Sequence, residues 1–293
     1  MTGIASRIEW GLIPAVPVPF RGAELAAAAQ RAYARWMAAH PVAGVAVWAH
    51  TGRGPHLSAE HRREVLQAWR EALPERVVVA GARDITMAIE ARRGRADALL
   101  AFPERNDPVG YHRRLSRELP VIAFYLYEAA GGVPYDDQTL HAILDLPGVV
   151  GIKVATLDSV MTFQRLAALV RSHPDKLLVT GEDRFFGYSV MAGATSALVG
   201  MGAALPDVQA ELLHAWRDRQ WDRFVALSAQ CDRLAQAAFT EPMEGYIRRM
   251  LWAAAADGAL PRDACDDPWG PALPESEREA VEQVVADARA SRG

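Results

Sequence analysis

The stretch GVVGIKVAT at residues 148–156 is a short apolar run that carries a lysine, Lys153, near its C-terminal end. Such a run, preceded by a proline and a glycine, is typical of a buried strand. Because side chains alternate along a strand, we expect two faces. The branched face, predicted to pack against outer helices, comprises Val150, Ile152 and Val154. The smaller face, predicted to leave room for a ligand, comprises Val149, Gly151, Lys153 and Ala155.

Similar apolar runs recur along the chain and alternate with segments of helical periodicity. The predicted strands are residues 12–18, 44–48, 77–80, 98–102, 120–125, 149–154, 177–180 and 197–199. The helical segments between them include residues 59–72, 139–144 and 159–172. Alternation of this kind indicates parallel βαβ units, and eight strands within about 200 residues favour an α/β fold, a closed (β/α)8 TIM barrel. A doubly wound open sheet is the alternative, but no GxGxxG motif follows the first strand to support it.

The last part of the chain has a helical pattern without strands. Amphipathic helices are predicted at residues 212–219, 221–239, 244–256 and 275–290. We therefore predict a barrel over residues 1–206 and a helical C-terminal extension, packed on the barrel, over residues 207–293.

The composition is that of a globular protein and excludes several classes of function. Of 293 residues, 51% are hydrophobic and 23% are charged, and the net charge of −4 gives no reason to expect nucleic acid as a partner. No apolar run reaches the roughly 18–20 residues that span a bilayer, and the N-terminus lacks a signal-peptide pattern. The two cysteines, Cys231 and Cys265, indicate neither a disulfide scaffold nor a zinc site. We expect a cytoplasmic protein without metal and without nucleic-acid or membrane partners.

Lysine is rare in this chain, which makes each one informative. The sequence has 32 Lys plus Arg, yet only Lys153 and Lys176 are lysines. Arginine stays protonated in proteins, whereas a desolvated lysine can lose its proton and become a nucleophile. Lys153 stands at the C-terminal end of a strand, where barrel enzymes carry their catalytic groups. Lys176, in the polar turn HPDK, is predicted to be a solvated surface residue.

Two further segments supply candidate site residues. Tyr125 and Tyr127 have the same parity, so both are expected to point into the barrel, where a tyrosine can move protons during imine formation. The loop after the second strand contains His50, Thr51 and Arg53. Thr51 with free backbone N–H groups is a candidate carboxylate cradle, and an arginine can bind an acidic group bidentately. A solvated turn is the other interpretation of this loop.

Together these segments resemble the dihydrodipicolinate synthase/N-acetylneuraminate lyase family. The resemblance is carried by the lysine strand, by AHTGR at residues 49–53, by TGED at residues 180–183 and by residues 193–202. Tyr125 falls in register with the family tyrosine when residues are counted back from Lys153 without a gap. The resemblance implies a (β/α)8 enzyme with a helical extension, a Schiff base between Lys153 and a 2-oxo acid, and backbone near Ala197 that approaches the keto acid. It also implies a homodimer or a homotetramer.

Several positions depart from the family pattern. His50 stands where the family has a hydroxyl residue, and Arg53 stands where it has a glutamate. The tyrosine pair that follows strand four in the synthase is replaced by FPERN at residues 102–106, and the synthase's substrate-binding arginine falls at Ala130. These differences argue against true dihydrodipicolinate synthase activity.

The leading hypothesis is a lyase, an aldolase that acts on pyruvate or another 2-oxo acid. Lys153 and Tyr125 are the predicted catalytic residues. The predicted substrate-binding residues are Thr51, His50, Gly52, Arg53, Tyr127, Glu128 and Ala197. No cofactor is expected, because the protonated imine is itself the electron sink. Two alternatives remain open: a sugar-acid dehydratase that uses the same lysine, and a non-catalytic barrel that binds a keto acid.

Overall fold

The computed structural model describes residues 3–291 and has eight parallel strands arranged as a barrel. The strands are β1 (Leu12–Pro14), β2 (Gly44–Val47), β3 (Val77–Ala82), β4 (Ala98–Ala101), β5 (Val121–Leu126), β6 (Val149–Ala155), β7 (Leu177–Thr180) and β8 (Ser196–Val199). Each strand pairs in parallel with the next along the chain from β2 to β8, and β8 pairs with β1. An isolated parallel bridge between Ala15 and Ala46 joins β1 to β2. The predicted TIM barrel is therefore confirmed, and the open doubly wound sheet is excluded.

Helices surround this barrel and continue beyond it. They are α1 (Ile4–Ile8), α2 (Ala27–Ala38), α3 (Ala59–Ala72), α4 (Ile85–Arg93), α5 (Pro108–Leu115), α6 (Asp137–Leu144), α7 (Val160–Arg171), α8 (Phe186–Met191), α9 (Pro206–Arg217), α10 (Trp221–Ala238), α11 (Tyr246–Ala256) and α12 (Glu275–Ala290). The predicted bounds of α3 and α12 match the structure. The short hairpin formed by Phe20–Arg21 and Glu24–Leu25 was not predicted, because two-residue strands carry no detectable periodicity.

Polar caps determine where the helices after β2 to β6 begin. In each of these helices the side chain of the N-cap residue accepts a hydrogen bond from the backbone N–H three residues later. The caps are Ser58, Asp84, Asp107, Asp136 and Ser159. Each such cap contributes about 1 kcal/mol and satisfies a backbone donor that the helix leaves unpaired. The loops between strands and helices, where barrel sites are built, thus have defined ends.

The strand around Lys153 follows the predicted alternation only in part. Ile152 and Val154 pack in the core between strands and helices, as predicted, and Ala155 packs inside the barrel. Val149 and Val150 were assigned to the wrong faces: Val149 lies in the outer core and Val150 contacts the inner one. The reason is an irregularity in the pairing of β5 with β6, where Val121 pairs with Val149 but the next residue, Ile122, pairs with Gly151.

The C-terminal helices pack on one another and on the barrel. Helix α10 packs against α8, α9 and α12, and α11 packs against α12 and the 3-10 turn Gly200–Ala203 that follows β8. Arg249 in α11 is fully buried and donates to Glu277 in α12 at 2.7 Å. Helix α11 is thereby held over the C-terminal end of β8. Within residues 3–291 no helix is long and apolar enough to cross a membrane.

Candidate active site

Lys153 projects into the barrel from the C-terminal part of β6. The residue is 5% exposed, and its amine lies 4.2 Å from the centre of the Phe124 ring. Gly181, just after β7, makes room for it, because a Cβ there would lie 2.4 Å from the lysine Cε. A glycine is therefore required beside the lysine side chain.

Burial shifts the protonation equilibrium of Lys153 toward the neutral amine. Desolvation lowers the pKa of Lys153 from 10.5 to about 8, while the carboxyl groups of Asp183 and Glu182 oppose that shift. A lysine with such a pKa has an appreciable fraction of neutral amine near neutral pH, which is the form that attacks a carbonyl. The geometry thus places a buried amine with a lowered pKa at the C-terminal end of a barrel strand.

Two carboxyl groups from the loop after β7 lie at the same cavity as the lysine. Glu182 is completely buried and accepts hydrogen bonds from the backbone N–H groups of Thr156 and Leu157, at 2.6 and 3.0 Å. Asp183 accepts from the backbone N–H of Met201 at 2.7 Å. Desolvation raises the pKa of each carboxyl to about 7. Each group therefore changes protonation state close to neutral pH.

The loop after β2 meets helix α11 at the mouth of this cavity. Tyr246, the first residue of α11, is buried, and its hydroxyl lies 2.9 Å from His50 Nδ1 and 3.1 Å from Thr51 Oγ1. Its ring stacks on those of His50 and Phe239. Gly200 keeps this corner open, since a Cβ there would lie 3.1 Å from Thr51 Oγ1.

His50 is held as a neutral imidazole. Burial lowers its pKa to about 4, and the positive charges of Arg53 and Lys153 act in the same direction. Glu244 opposes the shift through a carboxylate oxygen 3.5 Å from His50 Nε2. At neutral pH the ring therefore carries one proton, with Nδ1 hydrogen-bonded to Tyr246 and Nε2 lying 3.5 Å from the Glu244 carboxylate.

The cavity has apolar and polar walls around the amine. Its lining residues are His50, Thr51, Phe124, Leu126, Tyr127, Lys153, Ala155, Leu157, Gly181, Glu182, Asp183, Gly200, Phe239 and Tyr246. Every lining residue lies in the C-terminal half of a barrel strand, in the loop that follows it, or in the segment that leads into α11. Within residues 3–291 no three His, Cys, Asp or Glu side chains are grouped as metal ligands.

Comparison with known proteins agrees with this architecture, although no family model matches the chain. The chain is 28% identical over 248 residues to 4-hydroxy-tetrahydrodipicolinate synthase from Ruegeria pomeroyi, covering 79% of this chain and 84% of that protein. The crystal structure of N-acetylneuraminate lyase from Mycoplasma synoviae aligns with a TM-score of 0.78 at 19% identity, over 97% of this chain and 98% of that one. The chain is thus similar in sequence and in fold to proteins of the dihydrodipicolinate synthase/N-acetylneuraminate lyase family, at identities below 30%. A further structure of similar fold is that of YagE, a prophage protein from E. coli K12 solved in complex with pyruvate; it aligns with a TM-score of 0.84 at 18% identity, over 95% of this chain and 98% of that one.

The family tyrosine has no hydroxyl counterpart on β5 of this chain. The expectation that Tyr125 points into the barrel is wrong: its side chain lies in the outer core, and its hydroxyl accepts from Arg165 of α7 at 3.5 Å. Phe124 occupies the inward position and pairs with Lys153 across the two strands. Counting back from Lys153 led to Tyr125 in place of Phe124, because the irregularity in β6 adds one residue to the sequence distance between paired positions of β5 and β6.

Arg53 does not face the cavity, contrary to the expectation that it would contact substrate. Its guanidinium is buried and donates to both carboxylate oxygens of Asp267, at 3.1 and 2.7 Å, and to Glu244 at 2.9 Å. Gly52 does not line the cavity either; it packs beneath the loop, where a Cβ would lie 2.9 Å from the Val16 carbonyl oxygen. The tertiary structure supplies acidic partners that neighbouring residues in the sequence do not reveal.

The remaining predicted site residues divide into two groups. His50, Thr51 and Tyr127 line the cavity. Glu128 is exposed in a short 3-10 turn, and Ala197 packs in the outer core, so neither lines it. Gly200, three residues beyond Ala197, is the residue after β8 that lines it.

Sequence reasoning did not assign Phe124, Phe239 or Tyr246 to the site. Alternation along β5 does not tell which face points inward, and Tyr246 has no local signal. The second lysine is also not solvated as predicted: its side chain is 8% exposed, and its amine donates to the carbonyl oxygen of Val149 at 2.9 Å. Lys176 is thus held by backbone acceptors, remote from the cavity.

Proposed function

We propose that this protein is a class I aldolase that forms a Schiff base between Lys153 and pyruvate or another 2-oxo acid. The observation that carries the proposal is the buried amine of Lys153, with its pKa lowered to about 8, at a cavity at the C-terminal end of the barrel. The relatives named as a dihydrodipicolinate synthase and an N-acetylneuraminate lyase, and YagE with its pyruvate, support the choice of substrate class.

The chemistry follows from the free amine. The lysine nitrogen attacks the ketone carbon, and the resulting carbinolamine loses its oxygen as water to leave a protonated imine. The positive charge of that imine draws electrons from the adjacent carbon, so that a C–C bond to an aldehyde is made or broken there. The face of Phe124, 4.2 Å from the lysine nitrogen, stabilises the cation, a contact worth about 1–2 kcal/mol when desolvated.

The carboxylate of the keto acid is assigned to the loop after β2. Within residues 3–291 the backbone N–H groups of His50 and Thr51 donate to no backbone or side-chain acceptor, and the Thr51 hydroxyl borders the same cavity. Successive unpaired N–H groups form a concave anion site. They support the expectation of a carboxylate cradle at this loop.

The rest of the substrate is expected to be uncharged. Apart from Lys153, the cavity lining contains no lysine or arginine, and it contains the carboxyl groups of Glu182 and Asp183. A second anionic group on the substrate would meet these carboxyls without a compensating cation. We propose no organic or metal cofactor, a cytoplasmic location, and a homodimer or homotetramer.

The first prediction tests the imine by reductive trapping. With pyruvate and borohydride, we expect the intact protein to gain one reduced pyruvyl group, located on Lys153 by peptide mass spectrometry. Lys153→Arg should abolish the mass increment, because a guanidinium does not form the adduct. The matched control is Lys176→Arg, which removes the only other lysine and should leave trapping unchanged. Absence of the increment in the parent protein would refute the Schiff base.

The loss of the strand hydroxyl at Phe124 favours one second candidate, a barrel that binds a keto acid without turnover. That protein would be stabilised thermally by pyruvate to the same extent in the parent and in Lys153→Met, and would release no aldehyde from any hydroxylated 2-oxo acid. A sugar-acid dehydratase, in contrast, would form the Lys153 adduct and release only water.

A further inference from the structure

The cavity lacks a hydroxyl where the strand next to Lys153 would be expected to provide one. Formation of the imine requires a proton for the departing carbinolamine oxygen, and formation of the enamine requires a base that takes a proton from the carbon next to the imine. The Phe124 ring faces the amine and can do neither. Another group at the cavity must move these protons.

The two carboxyl groups at the cavity already accept hydrogen bonds from the protein. Both oxygens of Glu182 accept hydrogen bonds from the turn after β6, and the hydroxyl of Thr156 adds a third donor at 2.9 Å. Asp183 accepts from backbone N–H groups after β8. These hydrogen bonds fix the positions of the two carboxylates at the edge of the cavity.

Tyr246 differs because its hydroxyl is hydrogen-bonded to His50, whose other ring nitrogen lies beside the partly exposed carboxylate of Glu244. Glu244, 44% exposed, lies 3.5 Å from His50 Nε2, and His50 Nδ1 lies 2.9 Å from the Tyr246 hydroxyl. The carboxylate favours the tautomer with the proton on Nε2, so Nδ1 accepts from Tyr246. The Tyr246 oxygen then accepts from Thr51 at 3.1 Å, next to the backbone N–H groups assigned to the carboxylate.

We propose that Tyr246 is the acid–base group of this site, with His50 as its positioning residue and Glu244 as the contact with solvent. The proposal rests on the imine at Lys153 proposed above. The Tyr246 hydroxyl gives its proton to the carbinolamine oxygen, which leaves as water. It then takes a proton from the carbon next to the imine, leaving the electron pair in the enamine. His50 and Glu244 exchange these protons with water, so no oxidant, reductant or further reactant is consumed.

This arrangement makes the C-terminal segment part of the catalytic machinery. Tyr246 and Glu244 belong to the segment that begins α11, while His50 and Thr51 follow β2, so these contacts join two distant parts of one polypeptide. The buried polar groups also restrict one another: Tyr246 cannot rotate away without leaving His50 Nδ1 and the Thr51 hydroxyl without their partner.

The test is exchange of the methyl protons of pyruvate in deuterated water, followed by NMR, together with borohydride trapping carried to completion. We expect Tyr246→Phe to lower the exchange rate by about 100-fold or more while the Lys153 adduct still accumulates. The matched control is Tyr33→Phe, which removes the hydroxyl of another buried tyrosine, bonded to the Ala203 carbonyl oxygen and outside the cavity. Its exchange rate should remain within a few-fold of the parent.

Substitutions at His50 separate positioning from packing. His50→Asn retains an acceptor near the position of Nδ1 and should keep part of the exchange rate, whereas His50→Leu should lose as much as Tyr246→Phe. Equal rates in the two His50 variants would remove His50 from the proposal.

The outcomes separate this proposal from the previous one. If the parent protein forms no Lys153 adduct, the Schiff base is refuted and Tyr246 has no role to fill. If the parent forms the adduct and exchanges, but Tyr246→Phe exchanges as fast, only the assignment to Tyr246 is overturned. Loss of exchange in Tyr127→Phe with full exchange in Tyr246→Phe would transfer the role to the other cavity tyrosine.

Discussion

The amine of Lys153 lies between two opposing influences. Removal from water favours the neutral amine, whereas the carboxyls of Asp183 and Glu182 favour the ammonium ion. Desolvation is the larger effect, and the pKa of the lysine falls to about 8. Because the carboxyls have pKa values near 7, they are mostly ionised where the lysine titrates.

The pH dependence of imine formation follows from this balance. We expect the initial rate of Lys153 adduct formation with pyruvate and cyanoborohydride to rise with pH and to reach half its maximum near pH 8, since only the neutral amine attacks. Asp183→Asn should move that midpoint to lower pH, because it removes a charge that favours the ammonium form. A midpoint near 10.5, or one unmoved by the substitution, would contradict the assigned cause.

At the scale of elements, the loop after β2 is tied to the C-terminal segment by buried charge. Arg53 makes two hydrogen bonds to Asp267, whose side chain is 1% exposed, and one to Glu244. The same loop carries His50 and Thr51, so these contacts hold the loop against Glu244 at the start of α11 and against Asp267 between α11 and α12. Arg53 acts on the site through this anchoring, without facing the cavity.

Arg53→Met should therefore destabilise the fold. The substitution leaves Asp267 buried without its cation, and the expected loss in the free energy of unfolding is about 3–5 kcal/mol, measured by denaturant titration. Arg217→Ala, which breaks an exposed ion pair with Asp218, should change it by less than about 1 kcal/mol. Trapping at Lys153 should persist in the folded fraction. Unchanged stability with loss of trapping would instead indicate direct contact with substrate.

At the scale of the whole molecule, all the groups assigned to the chemistry come from a single chain. The proposed nucleophile lies on β6, the proposed carboxylate cradle follows β2, and Tyr246 begins α11. The homodimer or homotetramer stays a prediction, as does the division between residues 1–206 and 207–293. The proposed proton transfers invoke no group from a second chain.

Dilution tests this independence. We expect the rate of pyruvate exchange per chain to stay constant across a dilution series in which light scattering follows any dissociation into monomers. A rate that falls in step with dissociation would show that a neighbouring chain contributes a group to the site, or holds one in place.

Local sequence patterns were sufficient for the barrel and for its lysine. The eight apolar runs correspond to the eight strands of the barrel. A parallel strand is buried on both faces, so it appears in the sequence as a short continuous apolar stretch. Lys153 stood out because a charge in such a run must be desolvated. These features depend on residues that are neighbours in the chain.

The tertiary structure alone decided which groups surround that lysine. The pairing irregularity between β5 and β6 replaced Tyr125 by Phe124 beside the amine, and strand register depends on contacts between strands. Tyr246 reaches His50 across 196 positions of sequence, and Arg53 reaches Asp267 across 214. No sequence periodicity extends over such distances. These contacts form because closure of the barrel brings the C-terminal ends of its strands together, and α11 packs over them.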